Sequence, residues 1–380
     1  MIPLAERKRV MIIAGEASGD LHGSKLVRAM RERDEGLFFC GIGGPALKEA
    51  GVKIEVEAST LSVVGITEVF SKIPNLFKGM ALTKRILRNT RPDLLILIDF
   101  PDFNLHLATA AKRLNIPVLY YIAPQIWAWR PRRVKKIGEL VDHVAVILPF
   151  EEDYYKSCRI PVTFVGHPLL DIDRMPSNAA FKKPFDTVPV IGLLPGSRDR
   201  EIARHLPVMF DAAGRLLKRL KNVKFIISIA PSVKRQFVDG ILRNVAHPPP
   251  FEIEAGDVRK VFEKSDLVVA SSGTVTLESA IFGTPMVIIY KVSPLSHLLG
   301  KALIKVRHIG LVNLIAGREI VPELLQHDAS PGRIADTVFS MLSDASGLEN
   351  IRQELLDTVA TLGGPGASRR VADIAMNMLL

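Results

Sequence analysis

Asp99 is the residue of this chain best placed to move a proton. It ends the apolar run Leu94-Leu95-Ile96-Leu97-Ile98 and precedes Phe100-Pro101-Asp102-Phe103-Asn104. A carboxylate leaving an apolar strand at its carboxyl end loses part of its hydration, which raises its basicity. That suits a general base drawing the proton from an attacking hydroxyl, although a loop-bracing Asp would occupy the same place. Asp102 reads better as a helix cap. With no His or Cys nearby, the two aspartates do not read as a metal pair.

A second chemistry, the holding of a diphosphate, is written into Leu267–Pro285, LVVASSGTVTLESAIFGTP. The apolar run Leu267–Ala270 reads as a buried strand, opening through Ser271-Ser272-Gly273-Thr274 into a helix that carries Glu278 and closes at Gly283-Thr284-Pro285. Thr274 or Thr276 can cap that helix. Unpaired N–H groups and the positive end of the helix dipole then face one crevice, where a diphosphate settles. The spacing is neither a P-loop nor a dinucleotide fingerprint, so any nucleotide is held another way; an ordinary strand-to-helix turn has the same appearance. Leu193-Leu194-Pro195-Gly196-Ser197-Arg198, with Glu201 beyond, is a second Gly turn, carrying a guanidinium fork that matches a diphosphate. Asn313, Arg318, Glu319, Glu323 and Gln326 in VNLIAGREIVPELLQ can read a sugar or a base. For both segments, solvation or helix capping is the alternative.

In the first half, Gly15-Glu16-Ala17-Ser18-Gly19-Asp20 follows the first strand, with two glycines to admit a ligand and Ser18 or Asp20 to cap the next helix. Gln125-Ile126-Trp127-Ala128-Trp129-Arg130 holds both tryptophans of the chain beside a basic cluster. Such a loop suits the wall of an amphipathic pocket, or core packing. His167, in Gly166-His167-Pro168, reads as a turn histidine.

Apolar runs alternating with helical patterns must position these groups. Strands are expected at Val10–Ala14, Leu37–Cys40, Leu94–Ile98, Val118–Ile122 and Val144–Leu148. A second set follows at Val190–Leu194, Phe225–Ile229, Phe251–Glu254, Leu267–Ala270 and Met286–Tyr290. Helices are expected at about Gly23–Glu32, Ala81–Asn89, Leu105–Leu114 and Pro131–Gly138. This is the signature of βαβ units: an α/β fold with two doubly wound, Rossmann-like domains whose parallel sheets face a cleft. The Pro- and Lys-containing stretch 175–189 reads as the linker between domains at 1–174 and 190–345, with C-terminal helices at 346–380 whose docking has no sequence signal.

The chain has 380 residues, 48% of them hydrophobic, ample for such cores. Two cysteines, Cys40 and Cys158, give neither a disulfide framework nor a metal cluster and fit a reducing cytoplasm. The N-terminal apolar run is too short for a signal peptide, and nothing approaches the ~18 apolar residues of a membrane helix. A net charge of +10 favours an anionic partner. Nucleic acid is disfavoured by 6% aromatic content and the lack of a zinc-finger or RNA-binding signature.

Taken together, GEASGD, GIGGP, SVVGITEV, IDFPDFN, PQIWAWR, PFE, VGHP, LLPGSR, SSGTVTLE and NLIAGRE…ELLQ stand in the order seen in lipid-A-disaccharide synthases, from about residue 10 to 327. The chain therefore resembles that family. The resemblance implies a GT-B-type inverting glycosyltransferase. It would move the diacylglucosaminyl group of UDP-2,3-diacylglucosamine to the 6-hydroxyl of 2,3-diacylglucosamine 1-phosphate, releasing UDP and a β-1,6-linked disaccharide for lipid A. It further implies no cofactor or metal, work at the cytoplasmic face of a Gram-negative inner membrane, and in some members a homodimer. By motif, Asp99 matches the aspartate proposed as base and Arg198 the arginine near the nucleotide. Ser197, Glu201, Ser272, Gly273, Thr274, Glu278, Asn313, Glu323 and Gln326 fall with the nucleotide sugar. Glu16, Ser18, Gly19, Asp20, Gln125, Trp127 and Arg130 fall toward the acceptor.

The lipid substrates give sense to Leu61–Met80, where Ile66, Val69, Phe70, Ile73, Leu76 and Phe77 recur at three- and four-residue steps, with Lys72 and Lys78 as basic residues of the same stretch. A buried amphipathic helix looks the same, and Pro74 interrupts or kinks it; the family context favours contact with a membrane lipid surface. Other UDP-sugar enzymes of this architecture, such as a UDP-N-acetylglucosamine epimerase, are the nearest rivals, and a non-enzymatic basic protein that binds anionic lipid or nucleic acid is the rival from another class.

Overall fold

A computed structural model describes residues 7–60, 66–129, 133–171, 188–220, 222–243, 245, 248–293 and 307–380, with backbone alone at 66–76 and 128–129. It forms two compact units, residues 1–172 with 362–380, and residues 173–361. Arg130, most of the 175–189 stretch, and the side chains of Ile66, Val69, Phe70, Ile73 and Leu76 lie outside the described residues.

In the first unit, β1 (Arg9–Ala14), β2 (Phe38–Gly43), β3 (Lys53–Glu57), β4 (Leu94–Ile98), β5 (Val118–Tyr121), β6 (His143–Val146) and β7 (Val162–Phe164) form one sheet in the order β3-β2-β1-β4-β5-β6-β7. In the second, β8 (Val190–Leu194), β9 (Lys224–Ile229), β10 (Phe251–Ala255), β11 (Leu267–Ser271), β12 (Met286–Tyr290) and β13 (Glu323–Leu325) run in the order β10-β9-β8-β11-β12-β13. Every neighbouring pair in both sheets is parallel, as the alternation of elements predicts.

The apolar runs are strands because helices cover both sheet faces. Along β1 and β4, Met11, Ile13, Leu95 and Leu97 enter one core, while Val10, Ile12, Leu94 and Ile96 enter another on the opposite face. Three strands escape the sequence pattern: β3, β7 and β13. Each is an edge strand with at least one face open, so none carries a continuous apolar run.

Helices begin earlier than periodicity suggests, at Ala17 rather than Gly23 and at Pro101 rather than Leu105. The pattern near Ala81–Asn89 is the end of one long helix, Ile66–Thr90, which Pro74 does not terminate. No helix among the described residues is long and apolar enough to cross a membrane.

The C-terminal helices part company. Ala345–Ala360 belongs to the second unit, whereas Ala367–Leu379 returns to the first. Val371, Ala372 and Ala375 join the core beneath β1 and β4. Asp171 holds the start of this last helix, accepting from the N–H groups of Gly366, Ala367 and Ser368 at 2.6, 3.0 and 2.9 Å. That supplies, from a remote loop, the acceptor a helix N-terminus lacks.

Each sheet reverses its strand order once, between β1 and β4 and between β8 and β11. Ligands of open α/β sheets gather at the carboxyl ends beside such a reversal. Glu16 and Asp99 follow β1 and β4; Arg198 and Gly273 follow β8 and β11.

Candidate active site

β4 ends at Ile98, and the next two residues, Asp99 and Phe100, have left-handed φ values of 47° and 49°. Left-handed backbone costs roughly 1–3 kcal/mol at a non-glycine residue, and a bulky Phe is among the least suited to it. The helix Pro101–Arg113 begins at once, so the strand turns into a helix through a tight elbow that presents the residue at its tip. Polar side chains grip the carbonyls of this elbow. Asn104, fully buried, donates Nδ2 to the oxygens of Ile98 (3.2 Å) and Asp99 (2.5 Å). The Tyr120 hydroxyl, also buried, donates to the Asp99 oxygen at 2.9 Å. Burial pushes the Asp99 carboxyl up to about 6; the Glu16 carboxylate adds to the rise and the Phe100 N–H opposes it. At neutral pH such a group is ionised yet still basic, the state a proton acceptor needs.

Glu16 stands at the N-cap of the helix Ala17–Arg31, and its side chain makes no capping bond among the described residues. Neither Ser18 nor Asp20 caps that helix, contrary to expectation. Ser18 is exposed. Asp20, only 6% exposed, accepts instead from the N–H groups of Gly44 (2.7 Å), Ala46 (2.9 Å) and Leu47 (3.2 Å), so it serves the start of the helix Pro45–Glu49. Gly19 is buried, its Cα facing Ile98 and Ala14, where an added Cβ would make ordinary contact.

Gln125 is exposed, and Trp127 is half-buried. The Trp127 indole donates to Glu151 Oε1 at 3.0 Å and meets Phe150 edge-on, with ring centroids 4.9 Å apart. Glu151 also accepts from Leu148 N, and burial pushes its carboxyl up to about 7 against these bonds. Trp127 is thus tied to the start of the helix Pro149–Ser157. His167 accepts from Leu169 N through Nδ1 at 3.2 Å, which makes it a turn residue.

In the second unit, a cavity of about 450 Å³ opens at the carboxyl ends of β8 and β11. Ser197, Arg198, Glu201, Ser272, Gly273, Thr274 and Glu278 all line it. Gly196 takes a φ of 125°, and a Cβ there would lie 2.6 Å from Glu201 Oε2. Glu201 folds back on the turn, accepting from Ser197 N (3.1 Å) and from the Arg198 guanidinium (3.3 Å). Arg198 remains mostly exposed at the N-cap of the helix Asp199–Arg219.

The helix Thr274–Ile281 starts at Gly273 with no side-chain cap. Thr276, one of two residues expected to cap it, instead donates its hydroxyl to the Gly273 oxygen at 2.8 Å. The space over Gly273 is open, with nothing among the described residues within 4 Å of where a Cβ would stand. The first N–H groups of the helix therefore remain available to an anion. Burial pushes Glu278, one turn on, up to about 7; Arg259 opposes the rise and Asp257 adds to it.

Asn313, Glu323 and Gln326 do not line this cavity. Asn313 is fully buried; its Oδ1 accepts from Ile320 N and Val321 N, and its Nδ2 donates to Val321 O and Glu323 Oε1. Glu323 accepts in turn from Ile309 N and Gly310 N. Glu323 thus braces the 309–310 turn, while Asn313 braces the 320–321 segment and holds Glu323. The Ser272 hydroxyl reaches that same turn at Ile309 O, 3.1 Å away, and so links it to the cavity. Gln326 accepts weakly from Val292 N at the end of β12.

This geometry can be set against known proteins. The family model for Lipid-A-disaccharide synthetase matches residues 10–377. The chain belongs to the lipid-A-disaccharide synthase family. The synthase of Syntrophus aciditrophicus (strain SB) is 45% identical over 376 residues, 98% of each chain. Among solved structures, UDP-GlcNAc 2-epimerase from Neisseria meningitidis bound to UDP-GlcNAc aligns with a TM-score of 0.63 at 14% identity, covering 97% of this chain and 100% of that one. MurG of Acinetobacter baumannii aligns at 0.61 and 16% identity, covering 98% and 99%. These likenesses give the synthase-family chain the GT-B fold; sequence identity separates it from the epimerase rival. It is a glycosyltransferase of lipid A synthesis.

Several residues of this family member escape the sequence reading. Ser228, Ile229, Ala230 and Pro231 line the cavity from the end of β9, and Gly256 and Val258 from the end of β10. The rule that ligands collect at strand ends points to both places, but neither turn carries a conspicuous motif. His205 is fully buried, accepting from Lys291 N (3.1 Å) and therefore donating Nδ1–H to Pro195 O (2.9 Å). It pins the loop that carries Arg198 to the end of β12. Asn104 stood in the IDFPDFN motif, but its partners are set by the elbow, not by spacing.

Proposed function

We propose that Asp99 takes the proton from the 6-hydroxyl of 2,3-diacylglucosamine 1-phosphate as that oxygen attacks the sugar of UDP-2,3-diacylglucosamine. A single displacement inverts the anomeric centre and gives a β-1,6 linkage, with UDP leaving. Inversion asks for a base rather than a protein nucleophile, and the base must be ionised near neutrality. The observation that carries this reading is the elbow: a carboxyl pushed up to about 6, held in left-handed backbone beside the strand-order reversal.

The departing diphosphate needs positive charge or N–H donors where its own charge grows. The cavity of the second unit supplies both, in the Arg198 guanidinium and the uncapped N-terminus at Gly273. These groups support transfer without a metal. Glu278, lining the same cavity, suits the hydroxyls of the nucleotide sugar. Asn313 and Glu323 act on this site through the 309–310 turn and Ser272.

Diacylated substrates place the reaction at a lipid surface. Phe77, in the long helix Ile66–Thr90, is 71% exposed, an unusual position for a large apolar ring. With the excess of basic residues, it supports peripheral attachment to the cytoplasmic face of the inner membrane. Mass spectrometry of the product formed from UDP-2,3-diacylglucosamine and diacylglucosamine 1-phosphate, with a chelator present, tests the whole reading. The disaccharide phosphate is expected; turnover of UDP-N-acetylglucosamine alone would overturn it.

A further inference from the structure

We propose that Asn104 and Tyr120 are positioning residues that clamp the backbone of Asp99 and so set where its carboxylate stands. The proposal rests on the reading of Asp99 as the base. Two side chains from different elements converge on a single carbonyl. Asn104 Nδ2 stands 2.5 Å and Tyr120 Oη 2.9 Å from the Asp99 oxygen, and Asn104 also holds Ile98 O at 3.2 Å. Both are fully buried, and Asn104 Oδ1 is buried with no partner among the described residues. A core that needed only to be filled would favour an apolar residue at 104, because an unpaired buried amide oxygen is destabilising.

The backbone explains what that polar choice secures. Asp99 and Phe100 are both left-handed, and two such residues in a row persist only where the surroundings over-determine them. The clamp fixes the carbonyl of Asp99, hence the orientation of the peptide that joins it to Phe100. The Phe100 N–H belongs to that same peptide and lowers the proton affinity of the Asp99 carboxylate. Tyr120 and Asn104 thus act on the carboxylate through one rigid peptide plane. Without them the elbow can relax toward ordinary strand geometry, carrying the carboxylate out of line with the acceptor hydroxyl.

The test compares Tyr120→Phe, Asn104→Ala and Asn104→Ser with Asp99→Asn, reading kcat, donor KM and the pH–rate profile in folded protein. Tyr120→Phe loses only a hydroxyl and keeps the fold. It is expected to lower kcat about 10-fold with donor KM unchanged, and Asn104→Ala about 100-fold, the scale of a misplaced reacting group. Asn104→Ser, which keeps a short donor, is expected to recover part of the Asn104→Ala loss. The acid limb should move to lower pH in each, because a released carboxylate regains water. If Asp99→Asn is inactive while Tyr120→Phe and Asn104→Ala retain wild-type kcat and pH profile, the clamp is refuted and the base assignment stands. If Asp99→Asn itself is active, the base assignment fails and the clamp with it.

Discussion

The ring of Phe100 lies against Gly15 so closely that a Cβ on Gly15 would stand 2.5 Å from the ring carbons Cγ and Cδ1. The turn after β1 and the elbow after β4 are therefore built against each other, across the point where the strand order reverses. Gly15→Ala must displace the ring and, with it, the left-handed backbone of Asp99. Overpacking of this kind costs about 1–3 kcal/mol. We expect a lowered melting temperature and a kcat reduced about 10-fold or more, with donor affinity intact; calorimetry and steady-state kinetics check both.

Glu16 raises the proton affinity of Asp99 by its charge. Glu16→Gln removes that charge, so the Asp99 carboxyl becomes a stronger acid and stays ionised to lower pH. Activity requires the ionised form and falls as pH drops through the value near 6. In the variant, the acid limb of kcat/KM should shift to lower pH. An unmoved limb would show that the two carboxylates do not communicate.

Arg198 should bear on the leaving group. Hydrogen bonds to charged groups contribute about 1.5–3 kcal/mol, so Arg198→Ala is expected to weaken UDP binding roughly 10- to 100-fold and to lower turnover as well. Isothermal titration with UDP measures the first effect. Unchanged affinity would remove Arg198 from the diphosphate site.

Phe77 offers its ring to solvent, so Phe77→Ser should leave the melting temperature unchanged. Sedimentation with anionic liposomes should nonetheless show weaker binding, since an inserted aromatic ring contributes to attachment at a lipid surface. Equal sedimentation of both proteins would place the membrane contact elsewhere.

Legibility in the sequence followed burial. Strands β1, β4 and β11 are covered on both faces, so their apolar runs stand out and the strand-end positions of Asp99 and Gly273 follow from them. The edge strands β3 and β13 carry charges among apolar residues, and β7 has only three residues, which hid all three. Capping went wrong where tertiary partners decide it. Asp20 has the right residue type for its own helix, yet the N–H groups it serves lie beyond β2. Asn313 and Glu323 read in sequence as polar groups able to meet a sugar or base, and their bonds to each other and to the backbone at 309 and 320 have no signal there. The return of the last helix to the first unit depends on Asp171, a residue with no local signal.

Asp99→Asn tests the account most directly, by donor binding and single-turnover rate measured together. The Asp99 carboxyl titrates higher in the folded protein than its ordinary value of 3.8, so its favourable contribution to stability is full below that value and lost as pH rises through about 6. Asparagine carries no such loss, and at pH 8 the variant should melt no lower than the parent. It should bind UDP-2,3-diacylglucosamine normally and transfer the sugar about three orders of magnitude more slowly. A folded Asp99→Asn protein that turns over within about 10-fold of the parent would contradict the assignment of Asp99 as the base.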